Sequence, residues 1–447
     1  MKTRFIALIL ALAMALGLTA CGKQADGENG EAKAAAVQAY LERGEITAEE
    51  VTLRFLHRFP SEDESAFFQS IADEYHALHP NVTIKIDTAG DDAMKEKLRV
   101  MMGGGDIPDI FFSWAGEWAH RFASSGTALD LTPYEQADPA WKNATSEVYW
   151  ESAALDGKDY GVPFRFSGGA LMYNTAIFDA LNLTPPTTWS ELEACCAALK
   201  DAGYIPMAYG NAFTWYSAWW LTAMFSQFVP HDVLMRDYDA KTGEWTDEGY
   251  VQAIELLQHM QAQGYLNDNI NSTSDDQADA LFATGQVGLY FTGLYNFDKM
   301  DGNMGSDNWD WIGMPNVEDA RGTKDTVVGG SDYFMVSSQS KHPEVAVDFL
   351  KFLTTKENAE RMAREAYITP VVTGSVTLET KSQKGVDYMD YVAGSNGVNL
   401  YLDSACDARV TDKLLENSQL MFDGKDARAI MKEVQEIAKI VREEAAE

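Results

Sequence analysis

Five short segments in alternation constrain this chain more than anything else in it. Val51, Leu53 and Phe55 alternate with other residues at the two-residue period of a half-buried strand. Ser61 and Glu64 stand at the spacing of a capping box. Phe67, Ile71, Tyr75 and Leu78 follow at helical spacing until Pro80-Asn81 breaks the pattern. Val82, Ile84 and Ile86 mark a second strand, a helix runs from about Asp92 to Met102, and a short buried strand lies at Ile110 to Phe112 after Gly103-Gly104-Gly105. Strand, helix, strand, helix, strand predicts a parallel sheet with helices on its faces. The same grammar returns later. Ala170 to Asn174 reads as a strand, Thr188 and Glu191 cap a helix reaching about Ala202, and Ser274 and Gln277 cap another ending near Gly285. Leu289 to Phe291 is a strand, Pro343 opens a helix through Leu353, and residues 426–446 form a charged amphipathic helix. This is more α/β material than one sheet usually holds, so the expected fold is α/β, in two lobes.

A leader precedes this body. Lys2 and Arg4 are followed by an apolar run, Phe5 to Leu18, and then by Leu18-Thr19-Ala20-Cys21. A basic start, a short apolar stretch and small residues at the cut describe a secretory signal. The run is shorter than the roughly 20 residues a membrane span needs. Its ending resembles a bacterial lipoprotein cleavage site: the signal segment, residues 1–21, ends at Cys21, and the resemblance implies a cut just before Cys21, which becomes the acylated N-terminus. Each buried methylene is worth about 0.8 kcal/mol, so two or more chains hold a protein on a membrane stably. Residues 22–48, rich in Ala, Glu, Gly and Lys, read as a flexible or weakly helical spacer. With Cys21 acylated, Cys195, Cys196 and Cys406 remain, an odd number that cannot close a disulfide framework. Leu192, Cys195, Cys196 and Leu199 share one helical face, where a thiol acts as a small hydrophobe.

A formal net charge of -33 repels phosphate backbones and argues against nucleic acid as a partner. No HExxH, GxSxG, P-loop or GxGxxG motif is present, so nothing points to an enzyme or a cofactor. His76 and His79 stand one turn apart but at a helix end beside Pro80, where a solvated terminus explains them. Aromatic residues in the expected loops carry more information. Trp114 and Trp118 follow the strand 110–112, Trp215, Trp219 and Trp220 follow the Tyr209-Gly210-Asn211 turn, and Tyr295 follows the strand 289–291. Ligands of open α/β sheets bind beyond the carboxyl ends of the strands, and aromatic faces there suit a sugar ring. Trp114, Trp215 and Tyr295 are the candidate site residues. Trp118, Trp219 and Trp220 sit within apolar helix patterns and are expected in the core.

In order and spacing, several stretches resemble the family 1 extracellular solute-binding proteins of carbohydrate ABC transporters. They are Ala72 to Val82, Gly105 to Trp114, Asp156 to Phe164 with Leu171 to Asn174, Pro185 to Leu192, Phe282 to Val287, and Val328 to Ser331 with Pro343 to Leu353. The resemblance implies two α/β lobes joined by a multi-strand hinge, with crossings near Pro163-Phe164, Val328 to Ser331 and Thr369-Pro370. Lobe 1 is expected over 49–164 plus 331–367 and lobe 2 over 165–330 plus 368–447. It also implies a monomer that binds a carbohydrate in the cleft, closes by hinge motion and is read by a membrane permease, without cofactor or metal. On this likeness the ligand-binding residues are Trp114, Glu117, Arg165, Asn211, Trp215, Tyr295, Asp332, Tyr333 and Asp403. Tyr295 stands where the family often has Trp. Two other readings stay open: a polyamine, peptide or metal chelate as solute, or a surface enzyme acting on polysaccharide. The latter needs a cleft carboxylate pair about 5–10 Å apart.

Overall fold

The computed structural model describes residues 27–446, so Cys21 and the leader lie outside the described residues. Its strands are β1 (Val51–His57), β2 (Val82–Thr88), β3 (Ile110–Trp114), β4 (Ala154–Leu155), β5 (Lys158–Asp159), β6 (Val162–Asn174), β7 (Ile205–Ala208), β8 (Val287–Gly293), β9 (Trp309–Ile312), β10 (Val327–Val336) and β11 (Val398–Asn399). β4 and β5 form a separate hairpin. The others form one nine-stranded sheet whose main path is β2-β1-β3-β10-β6-β8-β7. The expected parallel order holds for β1 with β2 and β3, and for β7 with β8. The centre differs: β10 runs antiparallel to both β3 and β6, and β6 antiparallel to β8. The sheet is therefore mixed.

The reason lies in two long strands that change partners along their length. β6 pairs with β10 from Val162 to Gly168 and with β8 from Gly169 to Tyr173. β10 pairs with β11 at Val327 and Val328, then with β6, and from Asp332 onward with β3. The sequence reading found only the second half of β6, Ala170 to Asn174; the strand is buried along almost its whole length, and its first half, broken by Arg165, Gly168 and Gly169, carries no period.

Two hydrophobic cores flank this centre. One gathers Phe55, Phe68, Phe112, Phe164, Phe334 and Phe349; the other gathers Leu171, Met207, Trp220, Phe225, Leu289 and Phe291. The chain passes between them three times. Phe164 belongs to the first core and Phe166 to the second, Val328 to the second and Tyr333 to the first, and Ile368 to the first and Val371 to the second. The third passage lies beside β6, where Phe166 N–H donates to the Thr369 carbonyl at 2.9 Å. Gly329 faces Gly168 in the β10–β6 register, and a Cβ at Gly329 would come within 2.6 Å of the Ser167 carbonyl. Only glycine lets the two backbones approach so closely at the crossing.

The helix caps read from the sequence form. Ser61 with Glu64, Thr188 with Glu191, and Ser274 with Gln277 are reciprocal capping boxes. Cys195, Cys196 and Cys406 are buried free thiols, and burial raises their pKa values. His76 Nδ1 bonds the Val82 carbonyl and His79 caps its helix.

One expectation is corrected. Within 22–48, residues Gly27–Arg43 form a helix docked on the first core. Tyr40 is buried there, and its hydroxyl donates to Asp348 Oδ1 at 3.0 Å; Lys33 Nζ donates to the Ser338 carbonyl at 2.9 Å. One aromatic anchor with Val37 and Leu41 beside it is enough to seat a segment whose composition alone reads as a free spacer.

Candidate functional site

A cavity of about 350 Å³ opens between the cores, within the range of small-ligand sites. The first lobe contributes Ser61, Asp63 and Glu64 at a helix start, and Ala366, Tyr367 and Ile368 before the third crossing. The second contributes Asp275, Asp276, Asp279, Tyr295, Asn296 and Lys299. Arg165, Phe166, Ser167 and Thr369 form its floor where the chain crosses.

That floor is organised by charge. Arg165 Nε donates to Asp332 Oδ2, and both side chains are buried. Asp332 pairs in register with Arg165 on one side and Trp114 on the other, so the three residues lie in a row across β6, β10 and β3. Arg58, directly after β1, comes within 3.5 Å of Asp332 and bonds Asp91 at 2.7 Å. Its guanidinium lies 5.3 Å from the Phe112 ring centroid and 6.0 Å from that of Trp114. Each of these charged groups has a close partner of opposite sign, which offsets the cost of burying it.

Tyr295 is the aromatic side chain that the second lobe gives to this lining, and an aromatic cluster packs behind it. Trp219 stacks on Tyr401 with centroids 4.6 Å apart and planes 17° apart, and meets Trp215 and Tyr295 edge-on at 5.8 and 6.1 Å. Tyr295 is 38% exposed and lines the cavity. Tyr401 reaches back to the floor, its hydroxyl 3.3 Å from Ser167 Oγ. Acidic side chains complete the wall. Asp279 accepts from Asn296 at 2.8 Å and Lys299 at 2.6 Å. Burial raises the Asp275 and Asp279 carboxyls, while the Lys299 bond pulls Asp279 back.

Of the residues expected from sequence, Arg165 and Tyr295 line the cavity, and Asp332 and Trp114 adjoin its floor. Trp215 meets Trp219 edge-on and is not among the residues that line the cavity. Glu117 is half-buried and paired with Arg121 at 3.5 Å. Asp403 pairs with Lys95 at 3.0 Å, bridging second-lobe helix Leu402–Ala405 and first-lobe helix Asp91–Gly104. The lobes nearly touch beside this pair, where a Cβ on Gly116 (φ +70°) would come within 2.7 Å of the Ser404 carbonyl.

Two expectations are corrected. Asn211 is fully buried with its amide saturated: it donates to Asn271 Oδ1 and the Ser418 carbonyl and accepts from Ser217. Tyr333 is fully buried in the first core, with its hydroxyl on the Tyr149 carbonyl. Among the tryptophans expected in the core, Trp118 and Trp220 are buried. Trp219 is buried too, in the second core, where it backs Tyr295. Sequence reasoning missed Arg58, Lys95, Tyr367, Tyr401 and the acidic group on helix Asp275–Ala283. Arg58 had a signal, since it is the first residue beyond the carboxyl end of β1.

Comparison with known proteins adds lineage to this geometry. The sequence profile of the family described as "Bacterial extracellular solute-binding protein" matches residues 60–360. An uncharacterized ABC transporter extracellular-binding protein of Pyrococcus horikoshii is 26% identical over 322 residues, 69% of this chain and 70% of its own. The melibiose/raffinose/stachyose-binding protein of Bacillus subtilis is 22% identical over 332 residues, 70% of this chain and 72% of its own. Among solved structures, a chitin oligosaccharide binding protein superposes with a TM-score of 0.80 at 22% identity, covering 88% of this chain and 99% of that one. These structures share the two-lobed fold.

Proposed function

Because this chain belongs to the family of bacterial extracellular solute-binding proteins, we propose that it is the lipid-anchored receptor of an ABC importer. It takes a sugar or oligosaccharide between its lobes and delivers it to the permease subunits. The observation that carries this reading is the cavity shared by the two cores, with Tyr295 in its lining backed by Trp219 and Tyr401, and with Arg165 at its floor paired to Asp332. Aromatic faces accept the C–H face of a pyranose while fixed polar groups take its hydroxyls. The lobes divide as 49–164 plus 331–367 and 165–330 plus 368–447. A ligand touching both has more contacts in the closed state and shifts the population toward closure. Cys21 carries the acyl anchor on the outer face of the membrane, and the protein performs no turnover.

A second reading has its own support. Asp63, Glu64, Asp275, Asp276 and Asp279 line the cavity against Arg165 and Lys299 only, which favours a solute bearing a cationic amine. A thermal-shift screen of residues 22–447 against mono- and oligosaccharides, spermidine and short peptides separates the two. A ligand at 100 times its Kd adds about 2.7 kcal/mol, a readable rise in Tm. A shift with neutral sugars supports the first reading. A shift with spermidine alone overturns it in favour of the second, and hydrolysis of a labelled glycan overturns both.

A further inference from the structure

The segment entering the third crossing holds a residue that the packing of the fold does not explain. Tyr367 has φ +56°, the left-handed region that bulky L residues seldom occupy. Its neighbours Ala366 and Ile368 are buried in the first core, but Tyr367 itself is 50% exposed. Among the described residues, no ring contact or hydrogen bond engages its side chain, whereas its backbone is held firmly. Lys381 Nζ donates to the Tyr367 carbonyl at 2.8 Å and to Asp298 Oδ2 at 2.6 Å. The Lys381 side chain is only 3% exposed. Asp298 lies in the first turn of helix Phe297–Met304, three residues after Tyr295. Buried Lys381 therefore ties the backbone of Tyr367 to the second-lobe segment that presents Tyr295.

We propose that Tyr367 is a specificity-determining residue of the interlobe cavity, a first-lobe aromatic face that works with second-lobe Tyr295 on a pyranose ring of the solute. Both tyrosines line the same cavity from different lobes, and they are its two exposed aromatic side chains. Glycine would hold the left-handed backbone freely, so a tyrosine here contributes neither backbone ease nor packing. Strain kept at a cavity wall, with the side chain left bare, is the pattern of a ligand-contacting position. The inference rests on the sugar reading and deepens it, since it makes one subsite depend on both lobes and hence on closure.

The test uses residues 22–447 and isothermal titration with raffinose, maltotriose and chitobiose, alongside melting curves. Tyr367→Gly is expected to melt no lower than the wild type, because it relieves the backbone. It is also expected to bind the sugar recognised by the wild type at least about fivefold more weakly, the loss of one stacking face, about 1 kcal/mol. Tyr367→Phe keeps the face and is expected to stay within about twofold of the wild type. Unchanged affinity in Tyr367→Gly overturns the inference while leaving the sugar reading intact. A lower Tm in Tyr367→Gly overturns it too, by showing that the ring serves packing. Wild-type protein that binds none of these three sugars and no other sugar of the thermal-shift screen overturns the sugar reading itself, and this inference with it.

Discussion

His57 should set the acid limit of the first lobe. It is the last residue of β1, fully buried, with its ring 4.3 Å from Phe68, 5.4 Å from Phe55 and 6.0 Å from Phe59. Its Nδ1 accepts the Phe59 N–H at 3.3 Å, and Nε2 has no hydrogen-bond partner. Burial in this aromatic nest pulls the imidazole from 6.5 down to about 4, against an opposing pull from Asp87. The folded state therefore favours neutral histidine, and as pH falls the unfolded chain takes up the proton first. The associated stability is complete above pH 6.5, declines as pH falls, and is gone below about pH 4. At 1.36 kcal/mol per unit this amounts to about 3 kcal/mol. His57→Phe keeps an aromatic ring and removes the titration, at a pH-independent cost of about 1 kcal/mol for the orphaned Phe59 N–H. Urea unfolding at steps between pH 7.5 and 4 measures the difference. Relative to the variant, the wild type should lose about 3 kcal/mol across the series, so the variant overtakes it in acid. Parallel pH curves for the two proteins would refute the reasoning, because carboxylates titrating elsewhere affect both alike.

Two further outcomes follow from contacts described above. A double-mutant cycle of Lys95→Met and Asp403→Asn should give a coupling of about 1–2 kcal/mol in sugar affinity, since this half-buried pair joins the lobes; additive effects would show that the pair does not favour closure. Tyr40→Phe removes a hydrogen bond to the charged Asp348 and should weaken docking of the N-terminal helix by about 1.5–3 kcal/mol, seen as faster protease cleavage before Val51 while the body stays resistant; an unchanged cleavage rate would mean that the helix is not held through Tyr40.

The parts of the fold that could be read in advance are those written in local chemistry. Ser61, Thr188 and Ser274 cap helices because the cap and its reciprocal partner lie three residues apart, a spacing visible in one dimension. Cys195 and Cys196 are buried because their helical face is set by the same period. Of the expected residues that line the cavity, Tyr295 was legible because it follows a strand end, and Arg165 only through the family resemblance. Asn211 was expected from the resemblance alone, but its partners Asn271 and Ser418 lie 60 and 207 residues away, and no local signal reveals that they saturate it. Tyr401 and Tyr367 come late in the chain, and only the third crossing returns that part of it to the floor. The docked helix Gly27–Arg43 was hidden by composition, because a single buried tyrosine outweighs many small residues.

The long strands carry their own record of the crossing. In β6, apolar Val162 to Phe164 precedes Arg165, Phe166, Ser167 and two glycines, and apolar Ala170 to Met172 follows. In β10, Val327 and Val328 precede Gly329, Gly330, Ser331 and Asp332, and Tyr333 to Val336 follow. A strand serving one core has no use for a charged and glycine-rich middle: a buried charge costs several kcal/mol unless paired, and glycine weakens a strand. Each apolar half instead feeds a different core, and the interruption falls where the strand passes beneath the cleft. The two interruptions then face each other across the antiparallel pair, Arg165 opposite Asp332 and Gly168 opposite Gly329. The charges neutralise one another, the glycines let the backbones close, and a polar floor with a narrow backbone crossing arises from the same few residues. On the proposed function, ligand contact and lobe motion are set at one place in the chain, so a substitution that alters the pairing of Arg165 with Asp332 should change affinity and hinge together rather than either alone.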